Sequence, residues 1–567
     1  MFIDEEERTI VQLVLVNDTG DSFYRMRWPG AELAKQNPKL RVINLDAQAK
    51  ERFEWGLNAD LLVLLQSSDL DLLWLVEERR KLGRKTLVEY NDNFYSPQPW
   101  SPVVEAWNSP LIWQSYELIM SAADALMVTG PGLKNLFKDH FKGPIHEIEN
   151  HFPRALPDFK LLWSEPGERI KIGWAGSLGH MADIISVRDV IAKLLTDFPQ
   201  VDFHVMGNES LQEVLQLPKE RFFSTPWGSM EDYIRFWGPI HIGIAPLLDT
   251  PYNNCRSDIK AVEMAASGAI PVLANALPYK KFIKETKVPS FDSPKGLYKV
   301  LKELVNNPSE LRPVAERGYN YVRTSRIGAN RKERAQLYQS LISDIPSSNY
   351  RFPFHLGYHE VMGTSQPEPP TRQAVLAIQQ LLNQKRVEEG RNLMTQLADQ
   401  HPNHPDLQIS KFKLALGQNR AEGQSLLPAL RKKFPRDLRF PMSELAGESD
   451  KAQFEKKFAA LLMELEKLAE KNRSVFLTEF ILGLKRGQNK FSINIETLRR
   501  ASELYPSSPE LSLIYAQALT TVGRVIEASE IYTFLRERLQ KASDFDELRK
   551  QIGPGFLAAW EEGLKGR

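Results

Sequence analysis

Short apolar runs recur along the first half of the chain, each bounded by polar or Gly/Pro-bearing loops. TIVQLVLVN, LRVIN, ADLLVLLQ, KTLVEYND, DALMVTG and IHEIEN read as buried strands, with helical spacing between several of them, as in LDLLWLVEERRKLG. This alternation predicts a doubly wound α/β unit over residues 1–152, with the polar loop DTGDSFYR at the carboxyl edge of its first strand. At Asn150 the pattern weakens into HFPRALPDFKLLWSEPGE, a linker rich in Pro and aromatic residues. A second series then spans 168–345. IKIGWAGS, VDFHVMG, IHIGIAPL and AIPVLAN are its strands, DIISVRDVIAKLLTDF is a helix, and SPKGLYKVLKELVNN and NRKERAQLYQSLIS close it. Two successive Rossmann-like units of this kind predict facing domains with a cleft between them, where ligands bind beyond the carboxyl ends of the strands.

Residues 346–370 read as a second linker, and 371–567 as helices with a weak internal period. Pro402, Pro435 and Pro506 stop helices at spacings of 33 and 71, near one and two units of the roughly 34-residue tetratricopeptide period. Ala516, Gly523 and Ala528 match the small positions where paired helices of such a repeat touch. The expected fold is therefore two α/β units followed by an all-α, tetratricopeptide-like region; an irregular helical bundle is the alternative for that last part. Concave helical repeats bind peptides or proteins, so this region is expected to hold a protein acceptor or partner, or else to brace the α/β units.

Composition narrows the function. Among 567 residues, 73 Lys and Arg nearly cancel 72 Asp and Glu, which removes the electrostatic case for a nucleic-acid binder. The one cysteine, Cys255, excludes an internal disulfide framework and fits a reducing cytoplasm. The start MFIDEEERTI is acidic where a secretory signal is basic and then apolar, and no apolar run is long enough for a bilayer. The expectation is a cytoplasmic chain, with peripheral contact at the inner membrane left open.

The densest candidate chemistry lies in NNCRSDIKAVEMAASGAIPVLANALPY, from Asn253 to Tyr279. Arg256, Lys260 and Glu263, spaced by four and three, share one helix face beyond a buried strand. Cations there oppose charge on a phosphate, and a carboxylate can hold two sugar hydroxyls. A solvated face with a Lys–Glu pair is the plainer reading. Ala265 and Ala266 allow close helix packing, and Gly268 can end the helix in a left-handed conformation. The second unit opens with GWAGSLGHMAD, in which Gly176 and Gly179 permit a tight turn and a helix start faces the same space, a place for a diphosphate. Such turns are also plain connections. Within it, Ser177, His180 and Asp183 either contact the donor or act as an exposed residue and a helix cap. No second His or Cys stands at ligand spacing, so no metal is expected.

These motifs resemble the GT-B glycosyltransferases, in particular the retaining, family 4-like enzymes typified by bacterial mannosyl- and glucosyltransferases. VEMAASGAIPVLA is similar to that group's E-A-M-A-x-G-x-P-V-V-A signature, IKIGWAGS to the strand and loop that open its donor domain, and VDFHVMGNE to the following strand ending in Gly207. IENHFP is similar to the turn that ends its first domain. The resemblance implies a nucleotide-sugar donor (UDP- or GDP-linked), no further cofactor, no metal, and a glycan, protein or lipid acceptor. It places Glu263 on the ribose, Arg256 and Lys260 on the leaving nucleotide, and Asn253 among the donor contacts. The group's second acid, eight residues before Glu263, is replaced here by Cys255. Either Asp258 substitutes from one turn away or the sugar is held differently.

Further positions carry alternative readings on their residues alone. Asp92, in EYNDNFYSP, either faces an acceptor or sits in an Asx turn, and Arg25 is a candidate to reach a phosphate across the cleft. Trp227, in FSTPWGSM, either stacks on a nucleobase or is an ordinary half-buried loop aromatic. Asp69 and Asp71 read as a helix start rather than a metal motif. The alternative functions are an inactive scaffold of the same architecture and a nucleotide-sugar isomerising enzyme.

Overall fold

A computed structural model describes residues 6–14, 20–97, 107, 110–163, 165–207, 211–330, 332–363, 370–446, 448–472, 495, 498–499, 502 and 509–540. The first apolar series forms β1 (Arg8–Val14), β2 (Leu40–Asp46), β3 (Leu61–Leu65), β4 (Lys85–Tyr90), β5 (Ala125–Val128) and β6 (Ile145–Glu147). The second forms β7 (Ile170–Ala175), β8 (Val201–Gly207), β9 (Phe222–Pro226), β10 (Ile242–Ala245), β11 (Ile270–Ala274) and β12 (Ser290–Phe291). A last strand, β13, covers Gly357–Val361. Among the described residues, every strand pairing is parallel. Helices on both faces bury parallel strands along their whole length and favour near-continuous apolar runs; β1, β3 and β11 are buried at every position, β1 with Arg8, Thr9 and Gln12 among its apolar residues.

The second sheet runs β12-β11-β10-β7-β8-β9. Its two halves grow outward from β7 and β10, so the crevice beyond the carboxyl ends of that pair is its topological switch point. In the first sheet, β13-β2-β1-β3-β4-β5-β6, the equivalent point lies between β1 and β3. The two α/β units and the following helices are the architecture expected from the sequence.

Several details differ. The expected helix DIISVRDVIAKLLTDF is broken into Met181–Ile185 and Arg188–Asp197, with the Ser186 hydroxyl donating back to the Asp183 carbonyl at 2.6 Å. Residues 346–370, expected as a linker, carry β13, which pairs with β2 from Gly357↔Arg41 to Val361↔Leu45. The helix Glu333–Ile342, expected to close the second unit, instead buries Leu337, Tyr338 and Ile342 in the core behind the first sheet. The chain crosses back where Phe152 bridges Ile327. Asp69 does cap the helix Leu70–Lys81, accepting from the Asp71 amide at 3.0 Å.

In the helical region, Pro370–Asn383, Val387–Gln400, Pro405–Gln418 and Arg420–Lys433 pack as successive neighbours. Pro402 and Pro435 follow the ends of two of them, while Pro506 lies outside the described residues. In the pair Pro509–Thr521 and Val525–Gln540, Ala516 and Ala528 are buried in one cluster. Gly523, expected at that contact, is instead in the turn with φ +80° and open space around it. The helices Arg439–Ala446 and Lys451–Asn472 bury Leu445, Phe458 and Leu461 in the core that also holds Trp113 and Tyr116 of the first unit. Among the described residues, no helix is long and apolar enough to cross a membrane.

Candidate functional site at the cleft between the sheets

The carboxyl edges of the two sheets meet. From the second unit, β7 ends in Ala175 and turns at Gly176, which donates its amide to the Met206 carbonyl at 3.1 Å. The turn is closed by glycines on both sides: a Cβ on Gly207 would stand 2.7 Å from the Gly176 carbonyl oxygen. Beside this backbone shelf runs the helix Ile259–Ala266, ended by Gly268 at φ +85°. Its Ala265 lies 3.4 Å from where a Cβ on Gly318 would be, a close approach that small residues on both helices allow.

That helix presents Lys260 and Glu263 to the cleft. Lys260 Nζ donates to the Ala175 carbonyl at 2.5 Å and lies 5.7 Å from the Trp174 ring centre. Burial is the main cause that lowers its ammonium to about 8, against the attraction of Glu263. Glu263 is buried, and both of its oxygens are occupied: Tyr24 Oη donates to Oε1 at 2.5 Å and Tyr233 Oη donates to Oε2 at 2.7 Å. Burial raises the Glu263 carboxyl above its usual range, while the two phenols and Lys260 pull it down. Tyr233 is placed by the helix Met230–Trp237, whose start is fixed by a capping box between Ser229 and Asp232. Trp227 stands half exposed, its ring 5.5 Å from that of Tyr233.

From the first unit come Tyr24, on a π turn over Phe23–Arg27, and the loop after β4. Asp92 in that loop is buried, accepts from Tyr252, and lies 3.4 Å from Arg256 Nη1. Desolvation raises its carboxyl to about 6 despite the pull of Arg256, with Asp21 adding to the rise. Asp21 opens onto the cleft beside Asn91, yet the surrounding protein lifts its carboxyl against the same arginine. Arg256 itself stacks over Tyr252 at 4.5 Å. The site thus brings Arg256, Lys260 and Glu263 from one unit against Tyr24, Asp21 and Asp92 from the other.

His180 and Asp183 are joined directly, with Nδ1 donating to Oδ2 at 2.9 Å. Burial, with Lys260 and Arg256 nearby, lowers the imidazole to about 3. Asp183 does not cap the helix after it. Its Oδ1 accepts from the Leu248 amide at 2.9 Å and from Asn253 Nδ2 at 2.8 Å, which ties the loops after β7 and β10 together. Asn253 is fully buried in the same tie. Ser177 is exposed on the turn.

Two expectations change at the inter-unit boundary. Asp258 is not available to replace the missing acid, because both its oxygens accept from Arg326, at 2.6 and 2.7 Å. Arg25 does not reach into the cleft either. It is buried on Glu89 at 2.7 Å and donates to the Ile148 carbonyl and Asn150 Oδ1. Cys255, where that acid was expected, is buried, and its thiol is pushed up to about 12 by that burial. Sequence reasoning missed Tyr24, Tyr233, Tyr252 and Asp21. Only Tyr233 had a usable signal, the S-x-x-D start one residue before it.

No family model matches the chain, and no curated protein matches it. Among solved structures, it is similar to sucrose-phosphate synthase from Thermosynechococcus elongatus, with 13% identity over 59% of this chain and 100% of that one at a TM-score of 0.43. HepE from Anabaena in complex with UDP-glucose is 12% identical over 59% and 100% at 0.44. An α,α-trehalose-phosphate synthase (UDP-forming) from Burkholderia vietnamiensis is 12% identical over 60% and 99% at 0.41.

Proposed function

We propose that the chain is a glycosyltransferase that moves a sugar from a nucleotide-sugar donor to a glycan, protein or lipid acceptor, with retention and without a metal ion. The observation that carries this reading is the meeting of Lys260 and Glu263 with the Gly176–Gly207 shelf at the switch point of the second sheet. A glycine-lined turn lets a diphosphate approach the backbone, and an ammonium beside it opposes the charge that builds on a departing nucleotide. Arg256 supplies a second cation, and Glu263 takes the ribose hydroxyls. His180, neutral and with Nδ1–H held by Asp183, offers Nε2 as an acceptor, which suits a sugar hydroxyl rather than a phosphate oxygen. Trp227 is the stacking surface for the base, one ring from the phenol that holds Glu263. Asp92 faces the acceptor from the other unit.

The test is a panel of UDP- and GDP-sugars assayed for nucleotide release and sugar transfer, with Lys260→Ala as the comparison. Turnover in the wild-type chain and a drop of about a hundredfold or more in the variant, at an unchanged melting temperature, is the expected result. Equal turnover in both proteins removes Lys260 from the mechanism.

A second reading, an inactive scaffold with the same cleft, is favoured by one observation. The position of the usual sugar-binding acid holds a buried, protonated thiol, and Asp258 is committed to Arg326. Transfer with any nucleotide sugar eliminates it.

A further inference from the structure

Glu263 already holds two hydroxyl donors, and they come from different parts of the molecule. Tyr233 belongs to the same α/β unit and is packed against Trp237 with ring centres 6.4 Å apart. Tyr24 belongs to the other unit, 239 positions away, and reaches Glu263 across the cleft. A ribose hydroxyl is the same kind of donor as these two phenols. With Glu263 only 4% exposed, a ribose reaches the carboxylate by displacing one of them. Tyr233, 4% exposed in the core of its own unit, cannot leave without unpacking that core. Tyr24 can leave as the units move apart, and its backbone is a π turn, a rare geometry that concentrates at functional sites.

We propose that Tyr24 is a resident competitor for the nucleotide's ribose: its hydroxyl holds Glu263 Oε1 in the ligand-free molecule, and the nucleotide binds by taking that place while Tyr233 keeps Oε2. This rests on the reading of Glu263 as the ribose carboxylate. It makes ribose recognition break one of the contacts that join the units across the cleft, while others, such as Asp92 with Arg256, lie outside the ribose's place.

The test titrates the full-length chain with UDP and GDP, and with the 2′,3′-dideoxy form of whichever binds. Tyr24→Phe removes the donor and leaves a buried carboxylate oxygen without a partner, a defect that a ribose hydroxyl repairs. The variant is expected to melt at a lower temperature and to bind the ribonucleotide about tenfold more tightly. It gains nothing for the dideoxynucleotide, and Tyr233→Phe gains nothing for either. In the wild-type chain, which needs no variant to fold, nucleotide binding raises amide exchange over Tyr24–Trp28 and lowers it over Lys260–Glu263. Unchanged or weaker binding by Tyr24→Phe, an equal gain with the dideoxynucleotide, or protection of both segments overturns the inference while the nucleotide site stands. If neither protein binds either nucleotide, the nucleotide reading falls and this inference with it.

Discussion

The fold brings the Lys260 charge toward neutral pH. Burial lowers its ammonium from 10.5 to about 8. Between those values the unfolded chain carries the extra proton, so the contribution of this group to stability rises with pH across that window. Phosphate binding runs the other way, because the neutral amine no longer attracts an anion. Affinity for UDP or GDP is therefore expected to be flat below about pH 8 and to fall by up to about tenfold per unit above it. Lys260→Met binds more weakly at neutral pH and loses that slope. A titration series from acidic to alkaline pH checks this, and an identical slope in the variant would assign the effect to another group.

At the scale of elements, the units come backbone against backbone where the helix Pro131–Phe137 meets the turn Asn253–Cys255. A Cβ on Gly132 would stand 1.9 Å from the Asn254 carbonyl oxygen and 3.0 Å from the Cys255 Cα. Both obstacles are backbone, so no side chain can swing away. Gly132→Ala is expected to cost about 1–3 kcal/mol of stability and to suppress transfer more than nucleotide binding, since the second unit alone carries Lys260 and Glu263. A melting curve with paired binding and transfer assays checks this; transfer at the wild-type rate would show that this contact is not needed for turnover. The same boundary explains what the sequence concealed. Strands such as β3 and β11 were readable because burial on both faces leaves a continuous apolar run. GYHEV was not, because an edge strand with every position at least partly exposed has no such run. Asp258, Arg25 and Asp183 have the residue type of ligand contacts and lie just beyond the carboxyl ends of strands. Their partners Arg326, Glu89 and Asn253 lie 68, 64 and 70 positions away, and nothing local announces them. Tyr24 escaped for the same reason: its local sequence, FYRMR, gives no sign of a carboxylate brought from the far unit.

In the whole molecule, the first unit is completed by chain that follows the second. Strand β13 covers the edge of β2, and its Glu360 pairs with Arg27 at 2.6 Å on the helical stretch that carries Tyr24. Further on, Arg436 lies 5.2 Å from the Tyr95 ring centre and 5.5 Å from that of Trp113, while its Nε donates to Glu117 at 2.8 Å. Trp113 in turn donates to the Phe94 carbonyl at 3.1 Å, so the helical region buttresses the loop that holds Asp92. A chain ending at Gly363 keeps β13 but uncovers Trp113 and its neighbours. A chain ending at Ser347 also strips the sheet edge and frees the Arg27 side of the Tyr24 helix. An unpaired edge leaves a row of backbone donors and acceptors without partners, and the lost apolar cover removes hydrophobic stabilisation in proportion to its area. The expected order of melting temperature is the full chain, then the chain ending at Gly363, then the one ending at Ser347, with the last also prone to associate through β2. Thermal melts read beside light scattering decide it: equal melting of the two shortened chains would mean that β13 contributes nothing to the sheet, and equal melting of the full chain and the one ending at Gly363 would mean that the helices rest on the first unit without supporting it.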